Sequence, residues 1–330
     1  MAALRAGLIG LGMMGRHHAR VLRELDGVDL VAVADGQGDP HGVAGGLPVL
    51  RDVEELIAQG VDMVVVAVPT VGHEAVGLAL AEAGVHMMVE KPIADDHVGA
   101  QRMLEAFRGR GLVGAVGHIE RFNPALQNLR ARVEQGELGD VYQIATRRQG
   151  PFPGRIADVG VVKDLGTHDI DLTAWLAQSP YRSVSAHTTT RSGRPHEDMV
   201  SAIGQLANGI ITNHIVNWLS PLKERVTVVT GERGSFVADT LSADLTFFAN
   251  GTINTEWESV AAFRGVTEGS MTRFALTKRE PLRSEHEAFR DAILGISRNI
   301  VTMREGLATL RVAEAVVESA ITGETRLLTD

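Results

Sequence analysis

The feature that most constrains this chain is a glycine motif that directly follows a short apolar run near the N-terminus. Ala6–Ile9 has the composition of a buried strand, Gly10–Gly15 reads GLGMMG, and Arg16–Glu24 has the pattern of a helix. A strand, a G-x-G-x-x-G turn and a helix in this order are the fingerprint of a dinucleotide-binding βα unit. The alternative is a glycine-rich turn that binds nothing, so the residues further along must decide.

Each glycine of the motif has a separate task in such a unit. The first allows the tight turn, the second lets a pyrophosphate approach the backbone, and the third lets helix and strand pack closely. The free N–H groups and the positive dipole end of the helix favour phosphates. His17 and His18 are neighbours on this helix and point apart, so we interpret them as helix surface or phosphate-side contacts. We expect the cofactor to contact Gly10, Gly12, Met13, Met14 and Gly15.

An acidic residue at the end of the next apolar run supports the dinucleotide interpretation. Leu30–Ala34 has the composition of a second buried strand, and it ends in Asp35, twenty residues past Gly15. A carboxylate at this position accepts hydrogen bonds from the adenosine ribose and repels a 2′-phosphate. Gly36–Asp39 contains no arginine that would receive such a phosphate. The sequence therefore predicts NAD as the cofactor, in preference to NADP.

Length and charge narrow the class of protein. The 330 residues exceed one typical domain, so we expect two. A formal net charge of −9 argues against binding to nucleic acid or to an anionic membrane. There is no cysteine, which excludes disulfides, thiolate metal sites and cysteine nucleophiles. The apolar run Met63–Val68 is too short to span a bilayer, and the N-terminal pattern is not that of a signal peptide. We expect a cytoplasmic enzyme with a small-molecule substrate.

The hydrophobic pattern changes near His118. Before it, short apolar strands alternate with helices, which is typical of a parallel sheet covered on both faces. Beyond it, consecutive strands are joined by turns such as Asn208-Gly209, which favours a mostly antiparallel sheet. We therefore predict an α/β chain, with a Rossmann domain at residues 1–118. Residues 119–330 are expected to form an α+β domain with a large open sheet, for substrate binding and oligomerisation.

Several side chains follow the strands of the first domain. We predict that Val43–Leu50 is a loop, that Thr70 caps a helix, and that His73 on that helix serves packing or capping. The strand Val85–Val89 leads into Glu90-Lys91-Pro92 at the carboxyl end of the sheet, where ligands of this architecture bind. The further cofactor-binding candidates are Pro69, Thr70, His73, Glu90 and Lys91.

Lys91 is the first candidate for chemistry. Its ammonium can hydrogen-bond a reacting oxygen or neutralise negative charge that develops there. The alternative is a solvated lysine at the end of a strand. Pro92 is expected to fix the turn, and an X-Pro bond tolerates the cis form.

Asp164 and His168 form the second candidate pair. If Asp164 starts a helix, His168 lies one turn further on the same face. A carboxylate near an imidazole favours the imidazolium and fixes the orientation of the ring. Such a histidine suits a general base that takes a proton from a carbinol. Alternatively, Asp164 is a plain N-cap and His168 a packed histidine. Asp164, His168 and Asp171 are a possible metal site, but no further ligand follows at a spacing that is diagnostic of one. We therefore predict no metal.

These motifs, taken in order along one chain, resemble the Gfo/Idh/MocA family of nicotinamide-dependent sugar and cyclitol oxidoreductases. The resemblance covers essentially the full length. It implies that Lys91, Asp164 and His168 flank a substrate carbinol beside the nicotinamide, and family members differ over whether the lysine or the histidine moves the proton. Lys163, where an apolar residue is expected, departs from the family pattern. The resemblance also implies a homodimer or homotetramer.

Three further segments, Gly117–Ala125, Arg147–Arg155 and Asn217–Pro221, are similar to the UDP-N-acetylglucosamine 3-dehydrogenase branch of that family. Between Val141 and Arg155 there are three arginines and no acidic residue, and arginine forks match phosphate oxygens. The alternative is a solvated basic strand face. The predicted substrate-binding residues are Lys91, Arg121, Asn123, Arg148, Arg155, Asp164 and His168.

The resemblance thus implies hydride transfer between NAD and a sugar carbinol or ketone, with C3 of a UDP-N-acetylhexosamine as the substrate position. A cyclitol such as inositol, another nucleotide-linked ketosugar or a free sugar is the alternative substrate. A non-catalytic NAD-binding sensor is the alternative of another class. A pure sensor would not require the set Lys91, Asp164 and His168.

Overall fold

The computed structural model describes residues 2–154, 159–251 and 267–328. The chain forms two compact units. The first comprises Met1–Ile119 and Glu280–Arg311, and the second comprises Glu120–Arg279 and Val312–Asp330. One boundary therefore falls next to the predicted change at His118, whereas the segment Glu280–Arg311 groups with the first unit, which a single division of the chain did not anticipate.

In the described residues, the strands and helices follow the chain in this order. The strands are β1 (Leu4–Ile9), β2 (Val28–Ala34), β3 (Val49–Leu50), β4 (Met63–Val66), β5 (His86–Glu90), β6 (Gly114–Gly117), β7 (Val141–Pro151), β8 (Tyr181–Thr189), β9 (Met199–Leu206), β10 (Ile211–Asn217), β11 (Leu219–Gly231), β12 (Gly234–Asp239), β13 (Asp244–Gly251), β14 (Thr267–Arg273) and β15 (Arg326–Leu327). The helices are α1 (Met13–Glu24), α2 (Val53–Ile57), α3 (His73–Glu82), α4 (His97–Gly109), α5 (Pro124–Glu134), α6 (Thr167–Ala177), α7 (Pro281–Ile293) and α8 (Met303–Thr322).

The first unit is built on a parallel sheet, as predicted. Its described strands have the order β3-β2-β1-β4-β5-β6, with β1 at the centre between β2 and β4. All four residues of β4 are buried, which agrees with a strand covered on both faces. Because parallel strands all end at the same edge, the turns after β1, β2, β4 and β5 lie together along that edge.

The second unit contains a mixed and mostly antiparallel sheet, also as predicted. The order of its described strands is β14-β13-β12-β11-β7-β10-β9-β8-β15. Among these neighbours only β7 and β10 are parallel. The predicted Asn208-Gly209 turn joins β9 to β10, and Gly209 has a φ of +90°, which glycine adopts without strain. One face of this sheet packs on α5 and α6 through residues such as Ile144, Val216, Leu126 and Ile170.

Two local predictions were wrong. Val43–Leu50 is not wholly loop, because Val49 and Leu50 pair with Val33 and Ala34 as the short strand β3. Thr70 does not cap α3: it opens a 3₁₀ turn, Thr70–Gly72, and the helix begins at His73.

No helix in the described part of the chain is both long and apolar enough to cross a membrane.

Candidate active site

The glycine loop of the first unit shows why each glycine is needed. Gly10 has a φ of +95°, and a side-chain carbon there would lie 2.4 Å from the carbonyl of Ala67. A side-chain carbon on Gly15 would lie 2.0 Å from the carbonyl oxygen of Gly10. On Gly12 the same carbon would meet no protein atom within 4 Å. The outer two glycines are therefore required by the packing of the chain, while the middle one leaves space that a cofactor can fill.

The helix that follows offers free amides to an anion. α1 begins after Gly12, no side chain of the described residues caps it there, and its first turn has no acidic residue. The amides of Met13, Met14 and Gly15 thus stand at the positive end of the helix dipole. The side chain of Met13 is 43% exposed, so the entrance to this helix end is open. These features fit the pyrophosphate of a dinucleotide.

Asp35 lies where the adenosine ribose is expected. It follows β2 directly, and its carboxylate accepts hydrogen bonds from the amides of Leu11 (2.7 Å) and Gln37 (2.8 Å). These bonds fix the carboxylate against the glycine loop. Each carboxylate oxygen has a second lone pair, so Asp35 can still accept bonds from ribose hydroxyls.

His73 joins the turns that follow β4 and β5. Its ring is buried, with Nδ1 2.9 Å from the carbonyl oxygen of Pro92 and Nε2 3.0 Å from that of Val68. Burial lowers the pKa of His73 despite both carbonyls. The predicted packing role agrees with this burial. The neighbouring Pro69 is exposed and Thr70 half-buried, so they present the surface of the same turn.

The Glu90-Lys91-Pro92 turn is held from two sides. The Lys91–Pro92 bond is cis, as the sequence allowed. Glu90 Oε1 lies 2.9 Å from Nε2 of His18, and Glu90 Oε2 accepts a 3.2 Å hydrogen bond from the amide of Lys91. Burial raises the pKa of Glu90, but the His18 hydrogen bond and the nearby basic groups outweigh it and leave that pKa below its ordinary value. The side chain of Lys91 is therefore attached to a turn whose backbone is held in place.

His18 was misjudged as a surface or phosphate-side residue. Its side chain is only 1% exposed, whereas its neighbour His17 is exposed. A signal in the sequence identifies it: His18 follows Gly15 by three residues and precedes Leu22 by four, which is the spacing of the buried face of α1.

In the second unit, Asp164 and His168 lie on consecutive helical turns, but Asp164 is not an N-cap. The segment Val162–Gly166 is a π-helical turn that runs directly into α6, and the amide of Asp164 donates to the carbonyl of Gly160 (3.1 Å). Asp164 is buried and His168 is half-buried. A π turn widens the helix locally, and such turns occur frequently at functional sites. The π turn Val162–Gly166 leads directly to His168, the second residue of α6.

Helix α6 is anchored by charged side chains that the sequence had assigned to substrate. Arg148 is buried and donates from Nε to Asp169 (2.8 Å) and from Nη1 to Glu120 (2.8 Å). The two carboxylates outweigh the effect of burial and raise the pKa of Arg148. Arg121 forms two parallel hydrogen bonds to Asp171, of 2.7 and 2.6 Å. Both guanidinium groups thus hold carboxylates of α6.

The predicted substrate residues of the second unit have protein partners in the structure. Arg148 and Arg121 are each buried against carboxylates, so phosphate binding by Arg148 and sugar binding by Arg121 stay predictions that these contacts do not support. Asn123 caps α5, accepting from the amide of Ala125 (3.0 Å) and donating to the carbonyl of Thr240 (3.0 Å). Arg155 lies outside the described residues. Lys91, Asp164 and His168 remain the candidates for chemistry.

A second polar network ties α6 to the sheet beneath it. Thr173 on α6 lies 2.6 Å from the hydroxyl of Tyr181, which lies 2.8 Å from Nε2 of His214, and Nδ1 of His214 lies 2.8 Å from Thr146. Burial lowers the pKa of His214 to about 4. This histidine is therefore neutral near pH 7 and belongs to the support of the helix. The described residues contain no cluster of three or more histidine, aspartate or glutamate side chains placed to hold a metal ion.

The open glycine loop, the uncapped helix and Asp35, set on a parallel sheet of this order, define a Rossmann dinucleotide-binding protein. Comparison with models of known protein families agrees with this assignment. The model described as "Oxidoreductase family, NAD-binding Rossmann fold" matches residues 4–118, and the model described as "GFO/IDH/MocA C-terminal domain" matches residues 126–237.

Two relatives match over nearly the full length. The chain is 30% identical to UDP-N-acetylglucosamine 3-dehydrogenase from Acidithiobacillus ferrooxidans, and the match covers 98% of both chains. It is also 30% identical to inositol 2-dehydrogenase 2 from Saccharopolyspora erythraea, over 98% of this chain and 94% of the other. A solved structure of the Acidithiobacillus enzyme has a TM-score of 0.85 at 28% identity, covering 98% of this chain and 99% of that one. The chain therefore belongs to the Gfo/Idh/MocA family and is an NAD-binding oxidoreductase.

Proposed function

We propose that this protein is an NAD-dependent dehydrogenase that oxidises a secondary carbinol of a sugar, with C3 of a UDP-N-acetylhexosamine as the position oxidised. The observation that carries the proposal is that the same chain has a dinucleotide loop with open space at Gly12 and an intact set of Lys91, Asp164 and His168. A lysine, a histidine and a supporting carboxylate are what removal of a carbinol proton requires. A relative that matches nearly the full length in both sequence and structure carries the nucleotide-sugar name.

Each residue of the set has a role in this proposal. His168 takes the hydroxyl proton of the carbinol as the C–H bond breaks, and Asp164 favours the imidazolium that results. The ammonium of Lys91 stabilises the negative charge on the oxygen while the carbonyl forms. NAD, when bound, supplies the acceptor for the hydride. Two electrons leave the carbon with the hydride, and the proton remains on the protein until it is released to solvent.

A cyclitol is the second candidate substrate. The inositol 2-dehydrogenase of Saccharopolyspora is as similar in sequence as the nucleotide-sugar enzyme. In addition, Arg121 and Arg148 are occupied by carboxylates, so neither supports recognition of a diphosphate. A non-catalytic sensor is the less supported alternative, because binding of NAD alone gives no use for the Asp164 and His168 pair.

A substrate panel tests the proposal. Purified protein with NAD is mixed with UDP-N-acetylglucosamine, UDP-N-acetylgalactosamine, N-acetylglucosamine, myo-inositol and scyllo-inositol, and reduction of NAD is followed by absorbance. We expect reduction with a UDP-N-acetylhexosamine, and oxidation at C3 in the isolated product. Reduction only with inositols would replace the substrate by a cyclitol. Tight NAD binding without reduction by any of them would favour the sensor.

A further inference from the structure

Behind the Glu90-Lys91-Pro92 turn, the first unit contains a buried chain of three hydrogen-bonding side chains. Glu90 lies at the end of β5, His18 on α1 and His286 on α7. Nε2 of His18 is 2.9 Å from Glu90 Oε1, and Nδ1 of His18 is 2.9 Å from Nε2 of His286. The exposed fractions of these side chains are 13% for Glu90, 1% for His18 and 0% for His286. Such a chain is costly to bury unless each contact has one donor and one acceptor.

The direction of the hydrogen bonds can be assigned by starting from the carboxylate of Glu90. An ionised carboxylate only accepts, so the proton of the first contact must be on Nε2 of His18. If His18 also carried a proton on Nδ1, His286 would have to accept on Nε2 and place its own proton on Nδ1, which is buried without a partner in the described residues. The arrangement in which every buried N–H has an acceptor therefore has a neutral His18, whose Nδ1 lone pair accepts from His286. His286 must therefore carry its proton on Nε2, which leaves its Nδ1 as the acceptor atom. In the described residues this Nδ1 is buried and has no hydrogen-bond partner, which agrees with a neutral ring in that tautomer.

The other oxygen of Glu90 connects the chain to the candidate active site. Oε2 accepts from the amide of Lys91, so both carboxylate oxygens are fixed. On the far side of the cis bond, the carbonyl of Pro92 contacts His73. The backbone that carries the Lys91 side chain is thus held at both ends, and the hold on the Glu90 side depends on the His18 donor.

We propose that His18 is a positioning residue for Lys91, which acts by donating from Nε2 to Glu90, and that His286 fixes the tautomer in which His18 does so. This inference rests on the proposed function for the role of Lys91. It does not depend on which sugar is the substrate. It makes α1 a part of the active site through its buried face as well as through its N-terminus.

Asparagine and glutamine at position 18 separate the two contacts of the ring. The glutamine amide reaches the position of the imidazole Nε2, so His18→Gln keeps a donor for Glu90 and loses the link to His286. The asparagine amide reaches the position of Nδ1, so His18→Asn keeps the link to His286 and leaves Glu90 without its donor. Both variants replace the ring by an amide of similar polarity, which makes each the control for the other.

Turnover, NAD affinity and unfolding by urea are measured for both variants and the wild type. We expect His18→Gln to retain most of kcat and His18→Asn to lose up to about a hundredfold, since a small misplacement of a catalytic group can cost that much. The free energies of unfolding of the two variants should be similar. Equal kcat in the two variants, or a kcat loss that simply follows loss of stability, would overturn the proposal.

A spectroscopic measurement keeps this inference separate from the proposed function. The ¹⁵N NMR shifts of the imidazole nitrogens report protonation, and they require neither cofactor nor substrate. We expect both His18 and His286 to be neutral with the proton on Nε2, and His286→Leu to disturb the signals of His18. A doubly protonated His18, or one with its proton on Nδ1, would contradict the inference even if the enzyme turns over. Absence of turnover with the predicted NMR pattern would instead count against the proposed function.

Discussion

Arg148 and Asp169 form a buried ion pair, with 2.8 Å between Nε and Oδ1, and Glu120 completes it on the other side of the guanidinium. The pair joins strand β7 to helix α6 immediately after His168. A strand arginine that sequence pattern favoured as a phosphate ligand is therefore part of the support of the candidate catalytic helix. The burial of this ion pair determines how replacement of Arg148 should change the stability of the fold.

Replacement of Arg148 by alanine should destabilise the fold. Removal of Arg148 leaves the buried carboxylate of Asp169 and the carboxylate of Glu120, which is 15% exposed, without this guanidinium, at a cost on the order of 3–5 kcal/mol. Arg147→Ala is the matched control: it is the preceding residue on the same strand, 55% exposed, and its pair with Glu224 at 3.3 Å lies at the surface. A surface pair contributes about 0–1 kcal/mol. Urea unfolding measures both. If Arg148→Ala is as stable as the control and only raises KM for a UDP-sugar, Arg148 contacts substrate after all.

Alanine at Gly12 and at Gly15 should have opposite consequences. Gly12→Ala should fold normally, because the added carbon meets no protein atom, but it should weaken NAD binding by occupying the space of the pyrophosphate. Gly15→Ala should lose stability, because the added carbon would lie 2.0 Å from the carbonyl oxygen of Gly10. Overpacking of this kind costs about 1–3 kcal/mol. NAD titration and urea unfolding give the two values. Unchanged NAD affinity in Gly12→Ala would place the pyrophosphate elsewhere.

The wild type should bind NAD more tightly than NADP, and Asp35→Asn should reduce this preference by about tenfold or more, which is roughly 1.4 kcal/mol. The asparagine retains an oxygen for the amide of Leu11 but lacks the charge that repels a 2′-phosphate. Titration of both dinucleotides into both proteins measures the ratio. A wild type that binds NADP equally well would refute the assigned role of Asp35.

Stability should fall in acid through His214. Its pKa of about 4 in the folded protein lies below the ordinary value of about 6.5, so the unfolded chain binds the proton more readily. The free energy of unfolding should therefore decrease as the pH falls from about 6.5 to about 4, by on the order of 3 kcal/mol from this residue. Burial lowers the pKa of His73 and His286 in the same direction, so the comparison must be with His214→Gln. The variant should show a shallower pH dependence than the wild type between those values. Parallel curves would mean that His214 titrates normally.

The sequence predicted those parts of the molecule that depend on local pattern. Apolar runs gave the parallel strands, and the glycine spacing gave a loop in which Gly10 and Gly15 are required by contacts within a few residues or across one strand. The partners of Arg121 and Arg148 could not be found in this way, since Asp171 is 50 and Asp169 is 21 residues away. In the sequence, an arginine that pairs with a carboxylate in the folded protein looks the same as an arginine that binds phosphate.

Two further differences have the same physical origin. His18 has the periodicity of a buried residue, but a histidine is buried only when it finds partners, and these come from β5 and α7, far along the chain. The π turn before α6 also has no simple local signal, and its first residue is held by a distant partner: the amide of Val162 donates to Glu197 Oε1 (3.1 Å), 35 residues further along the chain. What sequence alone predicted of the candidate site was therefore the identity of Lys91, Asp164 and His168, while their supports required the structure.

Lys91 and His168 are proposed to carry out the chemistry on a sugar carbinol with NAD. This proposal is tested most directly by the rate of NAD reduction with saturating UDP-N-acetylglucosamine in Lys91→Ala and His168→Ala. Each variant is compared with alanine at an exposed residue of the same type, Lys223 and His187. We predict that Lys91→Ala and His168→Ala each lower kcat by about 10²–10⁴-fold while NAD affinity stays close to that of the wild type, and that the two control variants turn over normally. Near-normal kcat in both Lys91→Ala and His168→Ala would contradict the account and make the set structural.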